Sequence, residues 1–363
     1  MSADLFRPHH IDESAIELSE FFPGIVPHFA SGEEIWGTSG YRVLRRRANG
    51  PWESVSRVPS SAHHNLATRL PWLQQGLRLG VHHLVRLHSG TLLATVNGSV
   101  FRSVDGGSTF STAHVFDHFR KPSRWGVVED TTNRVFLAEY SLNSERTRPI
   151  RIWRSDDDGL NFHEVFRFQP GEVRHIHFLQ IDPVDASLWM GTGDDDDEAG
   201  IYRSTDGGSS FSCIGKGAQN WRAICVAFGQ DAVLWGTDAG RDAGDFQNRI
   251  LRWDREAKKL EETEKVQGPV HGLVRLSHGG FLLSTGVEDG INETDQRAHL
   301  WYSTDGLDWI DIASFDRGIQ PRQVQYGVVH FLQNQAETSS VYLTLRGLKG
   351  CALGTLVADI RNP

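Results

Sequence analysis

The sequence is short of the features that mark several protein classes. It contains only 3 Cys, which are widely spaced and form no CxxC pair, so neither a disulfide framework nor a structural zinc site is indicated. No stretch approaches the roughly 18 apolar residues of a membrane-spanning helix. The N-terminus also lacks the basic start and apolar run of a secretory signal. We therefore expect a cytoplasmic protein without a transmembrane segment.

An excess of basic residues is also missing. Lys and Arg together number 37 against 46 Asp and Glu, which gives a net charge of −9. Nucleic acids and anionic membranes bind proteins through concentrated Lys and Arg, which displace counterions from the phosphates. We therefore expect neither partner. A small ligand such as a saccharide remains as the expected partner.

What the chain does contain is a repeated turn signal. The pattern Ser-x-Asp-x-Gly-x-(Ser/Thr/Asn)-Phe occurs at Ser103–Phe110, Ser155–Phe162 and Ser204–Phe211, and a shortened copy occupies Ser303–Trp309. The first two steps between copies are 52 and 49 residues, and the third is 99, which is two steps with a degenerate copy between them. Internal repeats of this length are typical of propellers and solenoids. A period near fifty divides the 363 residues into seven units.

These copies resemble the Asp-box, or BNR repeat, of sialidase-like and related β-propellers. In such a turn the Asp accepts backbone N–H groups, the Gly adopts a positive φ, and the final aromatic residue packs between sheets. The resemblance implies that each copy joins the third and fourth strands of a blade, on the face away from any ligand. The repeated residues are therefore interpreted as structural.

The segments between the turns are short apolar or alternating runs bounded by Gly, as four-stranded blades require. We predict an all-β fold: a single seven-bladed β-propeller domain, residues 1–363, with four-stranded antiparallel blades. The predicted blades cover approximately 24–60, 80–118, 125–169, 175–219, 221–267, 270–316 and 326–360. The last blade offers only three strands, so residues 15–21 are predicted to close the ring as its outer strand. Closure removes the exposed edges of an open sheet.

One position per blade falls at the start of the innermost strand, where seven strands converge on a central channel. These seven residues, 43 to 55 positions apart, are His28, His82, Trp125, His175, Arg222, His271 and Tyr326. Four of the seven are His, although His accounts for only 17 of the 363 residues. A structural alternative is that these side chains simply bind ordered water in a wet channel. Their joint occurrence favours a ligand site at the channel mouth.

The loops after the second strands open on the same face. Asp194 and Asp238 each follow a Gly-Thr pair in neighbouring blades and are expected to overhang the mouth. His177, Trp221 and Arg241 flank the same region. The remaining acids of the Asp run are interpreted as a solvated loop, and a Trp in a propeller can equally pack between blades.

His, Tyr and Arg together suit β-elimination beside a uronic acid, which requires a base, an acid and a group that neutralises the carboxylate. This combination resembles that of polysaccharide-lyase propellers acting on ulvan or oligogalacturonides. The hypothesis is a carbohydrate-active enzyme in which His175 or His271 is the base, Tyr326 the acid and Arg222 the carboxylate clamp. The proposed substrate contacts are His28, His82, Trp125, His177, Trp221, Asp194, Asp238 and Arg241.

Three alternatives stay open. Opposed carboxylates such as Asp194 and Asp238 would suit a glycoside hydrolase, as in xyloglucanase propellers. A divalent metal, Mn, Zn or Ca, could bind at the mouth through His28 with His82 or His175 with His177. The chain could also be a non-enzymatic propeller that presents its mouth to a protein partner.

Sialidase activity is disfavoured. The resemblance to sialidases would imply six blades and a Phe-Arg-Ile-Pro motif that begins an arginine triad. The nearest string is Phe6-Arg7-Pro8, which lacks the Ile and precedes the first predicted blade. The seven mouth positions hold one Arg.

Overall fold

The structure is a computed structural model that describes residues 6–47, 50–77, 79–117, 121–319 and 326–361. Almost all regular structure within these ranges is β-strand. The helices of these ranges are short, and none is long and apolar enough to cross a membrane.

The strands follow one another along the chain with short connections. The first are β1 (His10–Ile11), β2 (Ile16–Pro23), β3 (Val26–Ser31), β4 (Glu34–Ser39), β5 (Arg42–Arg47), β6 (Trp52–Arg57), β7 (His83–Arg86), β8 (Leu92–Val96), β9 (Ser99–Ser103), β10 (Ser111–Val115), β11 (Lys121–Glu129), β12 (Val135–Tyr140), β13 (Ile150–Ser155) and β14 (His163–Phe168). The others are β15 (Ile176–Ile181), β16 (Leu188–Thr192), β17 (Gly200–Ser204), β18 (Ser212–Lys216), β19 (Ala227–Phe228), β20 (Ala232–Gly236), β21 (Arg249–Asp254), β22 (Lys259–Lys265), β23 (Val270–Arg275), β24 (Phe281–Val287), β25 (Arg297–Ser303), β26 (Ile310–Asp316), β27 (Gly327–His330), β28 (Val341–Leu348) and β29 (Cys351–Ile360). Two short helices, α1 (Ala62–Ala67) and α2 (Pro71–Gly76), lie between β6 and β7.

Hydrogen bonding groups these strands into seven four-stranded antiparallel blades. Blades one to six are β3–β6, β7–β10, β11–β14, β15–β18, β19–β22 and β23–β26, and blade seven is β27–β29 with β2. The predicted fold class, an all-β seven-bladed propeller, is confirmed. The two short helices between blades one and two are an addition that the strand pattern did not predict.

The N-terminal segment closes the ring. β2 pairs antiparallel with β29 from Ile16 opposite Ile360 to Pro23 opposite Gly354, and it forms the outer strand of blade seven. β1 pairs with β26 at the outer edge of blade six. The predicted closing strand is therefore confirmed. β2 completes blade seven and pairs with the edge of β29, which would otherwise expose unpaired N–H and C=O groups.

The repeated turns have the geometry expected from their residue types. In blade three, the Ser155 hydroxyl donates to Asp157 Oδ1 at 2.8 Å and accepts from the Gly159 N–H at 2.9 Å, while Asp157 Oδ1 accepts from the Asn161 N–H at 2.9 Å. The equivalent bonds recur in the turns of blades two and four. Gly159 has a φ of 73°, a conformation that strains other residues. Each turn joins a third strand to a fourth.

The hydrophobic core lies between the faces of neighbouring blades. Blade one packs on blade two through Phe29, Trp36 and Leu84, among others, and blade seven packs on blade one through Leu332 and Tyr342 with their neighbours. Side chains of blades four to seven form one continuous cluster. Burial of these aliphatic and aromatic faces holds the ring together.

The innermost strands β3, β7, β11, β15, β19, β23 and β27 surround the channel. Since each blade is antiparallel, the beginnings of the innermost strands and the loops from second to third strands lie at the same end of the ring. We call this end the channel mouth. The repeated turns lie at the opposite end, so the mouth is where variable loops and inner-strand starts meet.

Candidate functional site

The seven predicted mouth positions lie at or near the beginnings of the innermost strands. His28, Trp125 and His271 are within β3, β11 and β23, His82, His175 and Tyr326 immediately precede β7, β15 and β27, and Arg222 precedes β19 by five residues. The structure brings His175, Arg222 and His271 into one group with loop acids, and it distributes the others around the channel.

His175, His177 and Asp194 form a compact buried cluster in blade four. The Nε2 atoms of His175 and His177 lie 2.9 Å apart, and Asp194 Oδ1 lies 3.1 Å from His177 Nε2 and 3.6 Å from His175 Nε2. All three residues are less than a tenth exposed. His175 immediately precedes β15, and His177 lies at the register shift between Ile176 and Phe178 in the pairing of β15 with β16. This short stretch brings both rings to Asp194.

Backbone contacts set the orientation of both imidazoles. Nδ1 of His175 lies 2.9 Å from the Ser141 carbonyl oxygen, and Nδ1 of His177 lies 3.2 Å from the Ala223 carbonyl oxygen. A carbonyl only accepts, so we assign the proton to Nδ1 in each ring. In the neutral rings both Nε2 atoms then carry lone pairs directed at each other and at Asp194. A proton or a metal cation at this point would relieve the resulting repulsion.

Two guanidinium groups surround Asp194. Arg174 Nη1 donates to Asp194 Oδ2 at 2.6 Å, and Arg222 Nη2 lies 3.5 Å from Asp194 Oδ1. Burial acts to raise the pKa of Asp194, but the interactions with His175 and His177 outweigh it and hold that pKa well below its usual range. Burial lowers the pKa of His177, against the opposing effect of Asp194. The cluster therefore contains an ionised carboxylate at neutral pH.

Arg222 connects this cluster to a second one. Its Nε lies 3.7 Å from Asp238 Oδ2, and its Nη1 donates to Asp242 Oδ1 at 3.1 Å. Burial raises the pKa of Asp238 to about 7, although Arg222 acts in the opposite direction. The guanidinium thus lies among three carboxylates, those of Asp194, Asp238 and Asp242, at the junction of blades four and five.

The second cluster comprises Asp238, His271 and Glu288. His271 Nε2 lies 2.9 Å from Glu288 Oε1, and one ligand atom from each of the three residues falls within 4.8 Å of the others. Burial alone would lower the pKa of His271, but the hydrogen bond to Glu288 raises it overall. The loop that carries Glu288 is ordered by Glu293, which accepts backbone N–H groups of residues 288, 289 and 290.

The predicted aromatic contacts lie within the protein. Trp125 is buried and pairs with Phe178, which joins β11 to β15 in parallel. Trp221 packs against Trp235 and Trp253, with ring centroids 5.7 and 6.0 Å away. Protein side chains therefore contact the Trp221 ring on the side of blade five.

The remaining predicted residues differ in their surroundings. His28 is buried, and its Nε2 lies 2.9 Å from Thr38 Oγ1. His82 Nδ1 lies 3.4 Å from Lys121 Nζ. Arg241 is exposed in a short 3-10 helix, and Tyr326 is 39% exposed directly after residues that the structure does not describe. These four do not join either acidic cluster.

Several neighbours of the site carry no strong sequence signal. Tyr140 stacks on His175 with ring centroids 4.1 Å apart, and Glu198 accepts the Arg174 backbone N–H at 2.9 Å. Glu288 follows the second strand of its blade just as Asp194 follows β16. This position after a second strand is the sequence feature from which a contact of Glu288 with His271 could have been predicted.

No protein-family model and no curated protein sequence matches the chain. Solved structures do match. The virginiamycin B lyase of Staphylococcus aureus, crystallised as an inactive variant with quinupristin, gives a TM-score of 0.58 at 15% identity, over 94% of this chain and 99% of that chain. An oligogalacturonate lyase of Vibrio parahaemolyticus gives 0.58 at 10% identity, over 98% of this chain and 92% of that one.

A GH74 enzyme of Niastella koreensis gives a TM-score of 0.59 at 16% identity, over 94% of this chain and 53% of that chain. The present chain therefore spans about half the length of that enzyme. At these identities the similarity shows the fold, a β-propeller, and the chemistry has to be argued from the site itself.

Proposed function

We propose that this chain is a carbohydrate-active enzyme that cleaves a uronic-acid-containing oligo- or polysaccharide at the channel mouth by β-elimination. The observation that carries the proposal is the convergence of two imidazole Nε2 atoms on one carboxylate oxygen in the His175–His177–Asp194 cluster. Such a buried group of titratable residues with shifted pKa values, at the end of a channel, is typical of a catalytic site.

Elimination requires removal of the proton beside the sugar carboxylate and protonation of the leaving oxygen. A neutral imidazole with its Nδ1–H held by a carbonyl presents the Nε2 lone pair that a base needs. His175 meets this requirement, and His271 is the second candidate. His271 is the weaker candidate, because its hydrogen bond to Glu288 raises its pKa and favours the protonated form, which cannot accept a proton. Tyr326 remains the proposed acid because it is the exposed hydroxyl at the start of β27.

Arg222 is the proposed carboxylate clamp from the sequence, and its position at the junction of both clusters supports a role in the site. Three carboxylates already surround its guanidinium. A substrate carboxylate would therefore have to compete with Asp194, Asp238 and Asp242 for it. A further cationic group in the channel would therefore be needed to neutralise the substrate carboxylate.

The same blade-four cluster fits a divalent metal. Two imidazoles and one carboxylate, with ligand atoms within 4.8 Å of one another, suit Mn or Zn better than Ca, which prefers an all-oxygen shell. His175, His177 and Asp194 would hold the ion. When bound, it would supply positive charge to neutralise the sugar carboxylate. It would also occupy the Nε2 lone pair of His175, so the roles of His175 as metal ligand and as base exclude each other. The carbonyl contacts of Ser141 and Ala223 would orient the ligating rings, as partners of metal-bound His usually do.

The names of the similar structures are compatible with this proposal, since two are lyases and one of these acts on oligogalacturonate. The test is to incubate the protein with a panel of uronic-acid oligosaccharides and to follow the ultraviolet absorbance of the unsaturated product. We expect turnover by the native chain and a loss of about 100-fold or more in His175→Ala. His163→Ala, which changes an exposed His of blade three, is the matched control.

A second candidate function, glycoside hydrolysis, is favoured by one observation. Asp194 has a depressed pKa, whereas the pKa of Asp238 is raised to about 7, and a pair split in this way can serve as base and acid. Saturated products from the same panel would establish hydrolysis and contradict elimination. An absence of turnover with every substrate, together with partner binding unchanged in His175→Ala, would favour the non-enzymatic alternative.

A further inference from the structure

Arg124 extends across the channel from blade three to blade seven. It lies in the part of β11 where the register with β12 is interrupted between Pro122 and Val127. Its Nη2 donates to the Phe331 carbonyl oxygen at 2.6 Å, and the Gln333 amide donates back to the Arg124 carbonyl. Blades three and seven are not neighbours in the ring, so this side chain spans the interior of the channel.

Arg346 belongs to the same part of the channel. It lies opposite Val328 in the pairing of β27 with β28, and His330 lies opposite Thr344. Residues paired in this way, and those two apart, share one face of a blade, so Arg346 and His330 point to the same side. His330 in turn packs edge-on to His271, with ring centroids 6.3 Å apart.

Three buried polar atoms in this region have no hydrogen-bond partner among the described residues. They are Nε of Arg124, Nε of Arg346 and Nδ1 of His330. Buried donors and acceptors in native proteins are almost always paired with protein, water or a ligand. Three such atoms on residues that approach one another across the channel are available to a polar ligand that enters it.

The charges of Arg124 and Arg346 also favour a site for an anion. Among the described residues, neither Arg124 nor Arg346 forms an ion pair, whereas Arg222 has three carboxylates around it. Burial, together with the neighbouring Arg346, lowers the pKa of Arg124 to about 9. Burial also lowers the pKa values of His28 and His330 well below their usual range, with Arg124 and Arg346 adding to the effect. Cations that are largely withdrawn from solvent and have no carboxylate partner reduce stability unless an anion compensates them.

We propose that Arg124 and Arg346 form an oxyanion-binding site inside the channel that takes the carboxylate of a sugar acid. The planar guanidinium offers parallel N–H donors that match a carboxylate, and Arg is the usual residue for this task. The identity of the ligand as a sugar acid rests on the proposed function, whereas the anion site itself rests on the contacts above. Arg124 and Arg346 thus supply positive charge that is not already neutralised by carboxylates, as that of Arg222 is.

The experiment measures binding without turnover. Isothermal titration calorimetry and thermal unfolding of the full chain are carried out with sodium galacturonate, sodium glucuronate, inorganic phosphate and, as a neutral control, glucose. We expect a uronate to bind and to raise the unfolding temperature, and glucose to do neither. In Arg346→Gln and Arg124→Gln we expect about 10- to 100-fold weaker uronate binding. Arg42→Gln, an exposed Arg of blade one, should bind as the native chain does.

A second variant and a second measurement separate binding from folding. Arg346→Lys keeps the charge and loses the planar fork, so uronate affinity should fall while the fold is retained. Without ligand, Arg346→Gln should unfold no earlier than the native chain, because it removes a partly buried charge that forms no ion pair with the described residues. A marked drop in its unfolding temperature would mean that Arg346 is structural, and would overturn the proposal.

The outcomes also distinguish the anion site from the enzymatic proposal. Stabilisation by phosphate alone would overturn the assignment to a sugar acid. Failure of all three anions to bind would overturn the anion site, even if oligosaccharide cleavage is observed. Uronate binding that depends on Arg346, without any turnover, would support the site and count against the enzyme.

Discussion

The Nε2 atoms of His175 and His177 lie 2.9 Å apart, although the Nδ1 atom of each ring already faces a backbone carbonyl oxygen. With Nδ1 protonated in both neutral rings, the two Nε2 lone pairs would repel each other at this distance, and a metal cation bound to both would remove the repulsion. We therefore expect Mn²⁺ or Zn²⁺ to bind the native chain and to raise its unfolding temperature. Calorimetric titration of the metal-free protein checks this.

His177→Ala removes one of the two nitrogen ligands and should weaken this binding by at least about 100-fold. His163→Ala should leave it unchanged, since His163 is exposed at the start of β14. Equal metal affinity in native chain and His177→Ala would contradict the assignment of the cluster as a metal site.

Asp194 and Asp195 offer a matched pair in one loop. Asp194→Asn removes a buried charge that contacts Arg174 and Arg222, and it should lower the free energy of unfolding by about 3–5 kcal/mol. Asp195 pairs with Arg146 but its side chain is 62% exposed, so Asp195→Asn should change that free energy by only about 0.5 kcal/mol. Urea unfolding of the two variants tests the difference. Similar values for both would mean that the Asp194 ion pairs contribute little.

Ser155 is the buried member of the turn in blade three. Ser155→Ala leaves the Gly159 N–H without its acceptor and should lower the free energy of unfolding by about 1–3 kcal/mol. Ser108→Ala, in the equivalent turn of blade two, removes an exposed hydroxyl and should cost less than about 0.5 kcal/mol. Chemical denaturation compares the two. A neutral Ser155→Ala variant would show that the repeated Ser does not stabilise the turn.

His299, in blade six, provides a pH-dependent contribution to stability and belongs to neither of the two clusters. Its ring nitrogens lie 2.6 Å from Asp311 Oδ2 and 2.9 Å from Asp295 Oδ2. Burial alone would lower the pKa of His299, but the two carboxylates raise it above 6.5. The contribution of protonated His299 to the free energy of unfolding is therefore fully present below pH 6.5. It is lost as the pH rises through the raised pKa of His299.

The free energy of unfolding of the native chain should accordingly exceed that of His299→Gln by more at pH 5.5 than at pH 8.5. Urea unfolding at the two pH values measures the difference. A constant difference between the two proteins would show that His299 does not titrate within this range.

Much of the fold could be predicted because the repeated turn is local. Ser155, Asp157 and Gly159 satisfy one another within five residues, so the motif is legible in the sequence and its period gives the number of blades. The closing strand was predictable for a different reason: blade seven lacked a strand, and Ile16–Pro23 was the apolar segment left over. The helices α1 and α2 have no counterpart in the described parts of other blades, and a period cannot predict an insertion.

The site was less predictable because its contacts are not local. His175, Arg222 and Asp194 could be placed at one mouth from their phase in the repeat. The contact of Arg124 with Phe331, 207 residues apart, depends on how far one side chain extends across the channel. No local pattern encodes such a contact, and Arg346, on a second strand of blade seven, falls outside the phase that selected the mouth residues.

The pairing of β2 with β29 has a consequence for synthesis on the ribosome. Blade seven draws its outer strand from the beginning of the chain and its other strands from the end. β2 therefore has no partner strand in blade seven until residues 351–360 have been synthesised. The entropy of closing so long a loop makes this a late step in folding. Completion of the ring thus coincides with completion of its last blade, and the channel with its arginines is assembled only then.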